Sequence, residues 1–122
     1  AYDFLIIPGG KAVFNELNGN KLVDEIVKHF CDNNKLVCAI CAAPSILGHK
    51  GLLDGKSATC FPGFEDELFG AEISKDYVVK DGNIITARGM GSAVEFGLQI
   101  AEVLTSTDNA QKIRASLQIY NG

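Results

Sequence analysis

No apolar run in this sequence approaches the ~20 residues that a membrane-spanning helix requires, so a helical span is excluded. Positive charge is scarce too. Eleven Lys and Arg stand against fifteen Asp and Glu, a net charge of -4, which offers no electrostatic footprint for nucleic acid or an anionic membrane. Histidine is limited to two residues, His29 and His49. His49 lies about two helical turns beyond Cys41, roughly 12 Å at 1.5 Å per residue, and His29 falls on the polar face of a predicted helix. Both are expected to be solvated surface residues, and a Cys-His dyad is not visible. Zinc lacks a second ligand pair. Gly9-Gly10-Lys11 lacks the spacing and the Lys-Ser/Thr of a P-loop. No metal and no cofactor is therefore expected, and no repeat, linker or low-complexity segment interrupts the chain.

What is present describes one domain: 122 residues, 47% hydrophobic and 21% charged, enough for a real core. The four cysteines, Cys31, Cys38, Cys41 and Cys60, are irregularly spaced in or beside apolar segments. That pattern suits reduced thiols and a cytoplasmic setting better than a disulfide framework. Nothing reads as a signal peptide before Tyr2-Asp3-Phe4-Leu5-Ile6-Ile7, itself a strand, so the chain is expected to begin inside a fold.

Strand and helix patterns alternate. Phe4 to Ile7 runs into the turn Pro8-Gly9-Gly10, and Lys11 to Leu17 reads as a short helix. Asn20 caps a second helix from Lys21 to Cys31, with Leu22, Val23, Ile26, Val27 and Phe30 on one face. Leu36 to Ile40 is a buried strand. Pro44 opens a helix that Gly51 ends. Lys56 to Cys60 reads as a short strand and Glu65 to Phe69 as a helical turn. Asp81-Gly82 between two β runs signals a hairpin. A helix through about Leu104 shows one narrow polar stripe and is expected to be mostly buried, and Asp108 is expected to cap the last helix. The alternation predicts an α/β fold with a mostly parallel sheet and helices on both faces. In such sheets ligands bind at the carboxyl ends of strands, where Pro8-Gly9-Gly10, Cys41 and Arg88-Gly89 all fall.

The chemistry centres on Cys41. It stands between a strand and a helix, with small residues two places away on each side, Ala39 and Ala43. A nucleophile elbow needs this, because bulky neighbours would collide across so tight a turn. Helix amides and the helix dipole pointing at Cys41 would favour its thiolate, although an inert buried thiol is the commoner fate of a free cysteine. Cys38 and Cys41 form a C-x-x-C, but Cys38 lies in the strand. Its side chain points to the opposite face, about 10 Å away at ~3.3 Å per residue, beyond disulfide reach. Gly89-x-Gly91 after a strand has Val94 where a dinucleotide turn has its third glycine, and it reads as loop geometry rather than as an anion site at a helix N-terminus with Arg88 adding charge. Gly9 and Gly10 would let backbone amides approach a reacting centre, as an oxyanion hole requires. Glu65, Asp66 and Glu67 read as a solvated helix face.

Taken together, Tyr2-Asp3 with a strand into Pro8-Gly9-Gly10, Ala39-Ile40-Cys41-Ala42-Ala43-Pro44, Thr59-Cys60-Phe61-Pro62 and Lys80 through Gly91 resemble the ThiJ/PfpI superfamily, in its DJ-one/YajL-like branch. The resemblance implies a flavodoxin-like three-layer sandwich and a homodimer. It matches Cys41 to a reactive, oxidation-sensitive cysteine, and Gly9, Gly10 and Ala42 to backbone amides around that thiol. Phe61, Pro62, Arg88 and Gly89 match the pocket. Two departures stand out. Protease-like members carry His directly after the nucleophile, where this chain has Ala42, and some relatives carry a pocket His where this chain has Phe61, so a Cys-His protease is disfavoured. The family's N-terminal strand–helix portion, which supplies a glutamate beside the cysteine and part of the dimer interface, has no counterpart here. Residues 1–122 are thus expected to form a single domain incomplete at its N-terminus, with the remainder in a companion chain or swapped.

The resemblance implies a cysteine-dependent enzyme acting on small reactive carbonyls, in the glyoxalase III or deglycase sense. A redox-sensing stress chaperone, in which Cys41 is oxidised without turnover, is the alternative. A thiamine-biosynthesis role follows from the ThiJ name and from no residue here.

Overall fold

The computed structural model describes residues 2–119. Its centre is a four-stranded sheet. Strand β1 (Phe4–Ile7) pairs in parallel with β2 (Leu36–Ile40), and β2 pairs in parallel with β6 (Ile84–Ala87). The sheet ends with β5 (Val78–Asp81), antiparallel to β6. Between β2 and β5, β3 (Ser57–Ala58) and β4 (Glu72–Ile73) form a separate parallel pair. The helices are α1 (Lys11–Leu17), α2 (Lys21–Asp32), α3 (Pro44–His49), α4 (Ala93–Leu104) and α5 (Thr107–Ser116).

The two-residue period of β2 separates two cores. Val37 and Ala39 face one side with Val27 and Phe30 of α2 and Ile46 and Leu47 of α3. Leu36 and Cys38 face the other with Ile85 and Ala87, under Phe96 and Ile100 of α4. This is the flavodoxin-like layering: helices on both faces of a mostly parallel sheet. The β5–β6 hairpin closes through Gly82-Asn83 with Gly82 at φ 61°, a backbone that glycine adopts without steric cost. Asn83 then accepts from the Val37 amide at 2.8 Å and donates to the Lys35 carbonyl at 3.0 Å, fixing where β2 starts.

Several sequence expectations shift. Asn20 does cap α2, accepting from Leu22 and Val23 amides at 3.0 and 3.2 Å. The cap of α5 is Ser106, whose hydroxyl accepts from the Asn109 amide at 3.0 Å, rather than Asp108, which sits in the first turn. Only Ser57–Ala58 of the expected Lys56–Cys60 strand pairs, because β4 offers a two-residue partner. The turn after Phe64 is a single 3₁₀ turn, Glu65–Glu67. Helix α4 is half buried: Val94, Val103 and Leu104 stay exposed, since among the described residues only one flank of it meets the sheet and another meets α5. No helix among the described residues is long and apolar enough to cross a membrane.

His49 is the larger correction. It is half-buried rather than solvated. Its Nδ1 lies 3.1 Å from Asn18 Oδ1 and its Nε2 2.6 Å from Glu67 Oε2, and its ring stacks on Phe69 at 5.0 Å between centroids. The imidazole thus ties the ends of α1 and α3 to the Glu65–Glu67 turn. Gly48, one residue earlier, meets that turn so closely that a Cβ there would stand 2.3 Å from the Glu67 carbonyl oxygen and 2.7 Å from Leu68 Cα. Both are backbone atoms and cannot swing aside. Gly48→Ala is therefore expected to destabilise the fold by about 1–3 kcal/mol, although alanine is the better helix former by about 1 kcal/mol. The urea midpoint should fall at constant slope, and an unchanged midpoint would contradict this packing.

Candidate active site

The parallel register places three strand ends side by side. Ile7 pairs with Ala39 and Ile40 with Ala87, so the residues that follow, Pro8-Gly9, Cys41 and Arg88, leave the sheet together. Cys41 is fixed from two directions. Its amide donates to the Ala87 carbonyl at 2.9 Å, and its own carbonyl accepts from the Phe61 amide at 2.8 Å. Between these bonds its backbone lies at φ 68°, in the left-handed region that a non-glycine residue enters at a cost. The Ala43 amide then returns to the Ile40 carbonyl at 3.2 Å, closing the turn into α3.

Gly9 faces the cysteine directly. A Cβ at Gly9 would stand 2.5 Å from Cys41 Cβ and 3.4 Å from its Sγ. The Cys41 side chain therefore packs against Gly9, and only glycine there leaves room for it. Gly10, at φ 113°, occupies a backbone region that also favours glycine. Among the described residues the amides of Gly9, Gly10 and Ala42 donate to no protein acceptor, although Ala42 is only 2% exposed. Three N–H groups on the turns around one sulfur are thus without internal partners.

The expectation of a strong helix dipole at Cys41 is not met. Helix α3 has six residues and no capping side chain, and it starts three residues beyond the cysteine. The effect falls off within a turn, which leaves the turn amides as the nearer positive groups. The other thiols are suppressed. Burial pushes Cys38 and Cys60 up to about 12, and Cys31 is raised by the same cause. Cys38 is fully buried under α4, on the face opposite the α2–α3 side.

Two clefts meet here. Gly9, Gly10, Ile40 and Cys41 line a largely apolar cavity of about 360 Å³ with Met90 and Ala93. Phe61, Pro62, Arg88 and Gly89 line a second, of about 280 Å³, together with Tyr77 and Met90. Ala42, next to Cys41 in the turn, is buried and its side chain does not line this cavity. Ile40, Met90 and Ala93 of the first cavity, and Tyr77, Gly91 and Ser92 of the second, are not among the site residues expected from the sequence. Met90 is 94% exposed and borders both clefts. Its position in Gly89-Met90-Gly91, a turn opening a helix, was the available signal. The turn is locked by Ser92, which accepts from the Gly89 amide at 3.2 Å and donates to the Gly89 carbonyl at 2.9 Å. No histidine lines either cleft. Among the described residues no group of three or more His, Cys, Asp or Glu could hold a metal ion.

A parallel α/β sheet with a cysteine on a left-handed turn at its carboxyl edge defines the nucleophile-elbow class of proteins. Residues 1–103 match the DJ-1/PfpI family, and the chain belongs to that family. It is 37% identical over 123 residues to Protein dj-1beta of Drosophila melanogaster, covering 98% of this chain and 66% of the fly protein. The crystal structure of that protein superposes with a TM-score of 0.89. A Toxoplasma gondii DJ-1 structure described as oxidized is 34% identical, with a TM-score of 0.89 over 96% of this chain and 64% of that one. The isonitrile hydratase of Pseudomonas putida is 32% identical over 118 residues, 95% of this chain and 51% of the enzyme. The chain thus spans two thirds or less of the length of these relatives.

The left-handed turn carries a stability cost that glycine would not bear, about 1 kcal/mol for an L-residue. Cys41→Gly is expected to be more stable than Cys41→Ala by about that amount in chemical denaturation. Equal stability of the two variants would mean that the turn is unstrained.

Proposed function

We propose that the chain forms the nucleophilic part of a cysteine-dependent enzyme acting on small 2-oxoaldehydes, in the glyoxalase III or deglycase sense. The observation that carries this reading is the Cys41 thiol held at φ 68° against Gly9, beside turn amides without internal partners. The thiolate would attack the aldehyde carbon, forming a C–S bond and a hemithioacetal. The developing oxyanion would be held by the Gly10 and Ala42 amides. A proton would then pass from the former aldehyde carbon to the neighbouring carbonyl carbon, giving a 2-hydroxy thioester. Water would cleave the C–S bond and release the 2-hydroxy acid. Oxidation at one carbon balances reduction at the next, so no external oxidant is needed.

Among the described residues, no His, Asp or Glu lines either cleft to move this proton. The family resemblance assigns it to a glutamate on the N-terminal strand–helix portion. Support for such a companion segment comes from the open side of β1. This edge strand exposes Phe4 and Ile6, and beside it Leu22 and Ile26 of α2 are exposed. Leu5, Ile7, Pro8 and Val23 contribute to an apolar groove of about 140 Å³ there. Parallel strands are stable when covered and paired. The working unit would contain this segment, in the same chain or a partner, and would be a homodimer in the family's manner.

A second reading has its own support. The Toxoplasma gondii relative was captured oxidized, and Cys41 is only half-buried. In this reading Cys41 is a sensor that peroxide converts to the sulfinic acid, with no turnover.

In the full-length protein, Cys41→Ser is expected to lower lactate formation from methylglyoxal at least about 100-fold, and an equal rate would refute the enzyme reading. Peroxide titration with mass spectrometry at Cys41, run beside that assay, favours the sensor if the sulfinic acid forms at a few equivalents of peroxide, two being consumed per thiol, while no aldehyde is consumed. Native mass spectrometry of the protein from its source should give a species heavier than the 13.0 kDa chain; a functional monomer of only that mass would rule out the companion segment.

A further inference from the structure

The second cleft carries a cation that the described protein does not neutralise. The Arg88 guanidinium lies 4.9 Å above the centre of the Tyr77 ring, and no carboxylate among the described residues stands within ion-pair distance of it. Glu65, which lines a neighbouring cavity together with Arg88, is committed elsewhere: its carboxylate accepts from the Gly63 amide at 2.6 Å. A guanidinium stacked on a ring keeps its in-plane N–H donors free, and these fit a planar carboxylate in bidentate fashion. The rest of the wall, Phe61, Pro62 and Met90, is apolar.

Met90 is the wall shared with the Cys41 cavity. The backbone makes the connection short. The Cys41 amide bonds the carbonyl of Ala87, the residue before Arg88, and the Phe61 amide bonds the Cys41 carbonyl. A molecule whose aldehyde reaches the sulfur can thus extend past Met90 into the arginine cleft. One cation, with an acidic side chain near it, suits a single negative charge better than a phosphate dianion.

We propose that the substrate is a 2-oxoaldehyde bearing a carboxylate on its far end, with Arg88 as the residue that selects it. This rests on the carbonyl reading above and names the substrate class for the same site. The reaction is balanced as before: 2-oxoaldehyde plus water gives the 2-hydroxy acid, with the distal carboxylate unchanged.

The test uses the full-length protein and two probes, 4,5-dioxopentanoate and its methyl ester, which differ by the one charge. The ratio of their kcat/KM values is the readout. In the native protein the acid is expected to be favoured about tenfold or more, the scale of a hydrogen bond to a charged group. Raising ionic strength should lower that ratio. Arg88→Ala should bring it near one, with Arg88→Lys between, and the change should appear mainly in KM. A native ratio near one, or a ratio that Arg88→Ala does not move, overturns the proposal. Should Arg88→Ala fail to fold, the native ratio, its salt dependence and the lysine variant still decide. If the ester is consumed equally by Cys41→Ser, the carbonyl reading itself fails, which is a separate outcome.

Discussion

The site depends on two backbone hydrogen bonds that hold one residue in a conformation it would otherwise avoid. Cys41 leaves β2 with its amide tied to the end of β6 and its carbonyl tied to Phe61. With both peptide groups committed, the chain can turn toward α3 only through the left-handed region, and a cysteine is carried there at φ 68°. An L-residue in that region places its Cβ where the neighbouring strand end would normally have a side chain. At Gly9 there is none. The turn, the parallel register and the glycine opposite are therefore one constraint, and losing any of them would release the other two.

That constraint also explains why four cysteines behave so differently. Cys38 is three residues from Cys41, yet the strand period sends it under α4 into an apolar layer, where burial keeps the thiol protonated. Cys60 sits next to Phe61, whose amide fixes the elbow, and its sulfur is also buried. Cys41, past the end of the strand, is half-buried, as is Cys31 on α2.

Much of this was legible in the sequence. The apolar strand followed by small residues and Pro44 marked the elbow, and the hairpin was written in Asp81-Gly82. Asn20 announced its cap. What was not legible involved side chains meeting across long separations. His49 reads as a surface residue on its own helix, since nothing local reveals that Asn18, Glu67 and Phe69 converge on it. Helix α4 carries apolar residues around most of its circumference, and periodicity cannot say which of them find a neighbour. Gly89-Met90-Gly91 marks a turn opening a helix and no more; that Met90 borders both clefts follows from where the Gly89–Ser92 turn lies relative to β2.

The two edges of the sheet differ, and the difference bears on the chemistry. On one side the β5–β6 hairpin supplies a two-residue connection and an antiparallel edge strand, with Lys80 turned to solvent. Charged residues of this kind blunt an edge against unwanted pairing. On the other side β1 presents alternating apolar residues on both faces and no lysine along its length, the composition of an interior strand. That strand runs into Gly9 and Gly10, the residues that face the thiol. A segment pairing with β1 would therefore have its own end, or the residues just beyond it, at the same carboxyl rim as Cys41, because parallel neighbours end together. If the proposed segment pairs there in parallel, a side chain at its end would reach the rim beside the sulfur on a strand end, held by the sheet's hydrogen bonds rather than by a loose loop.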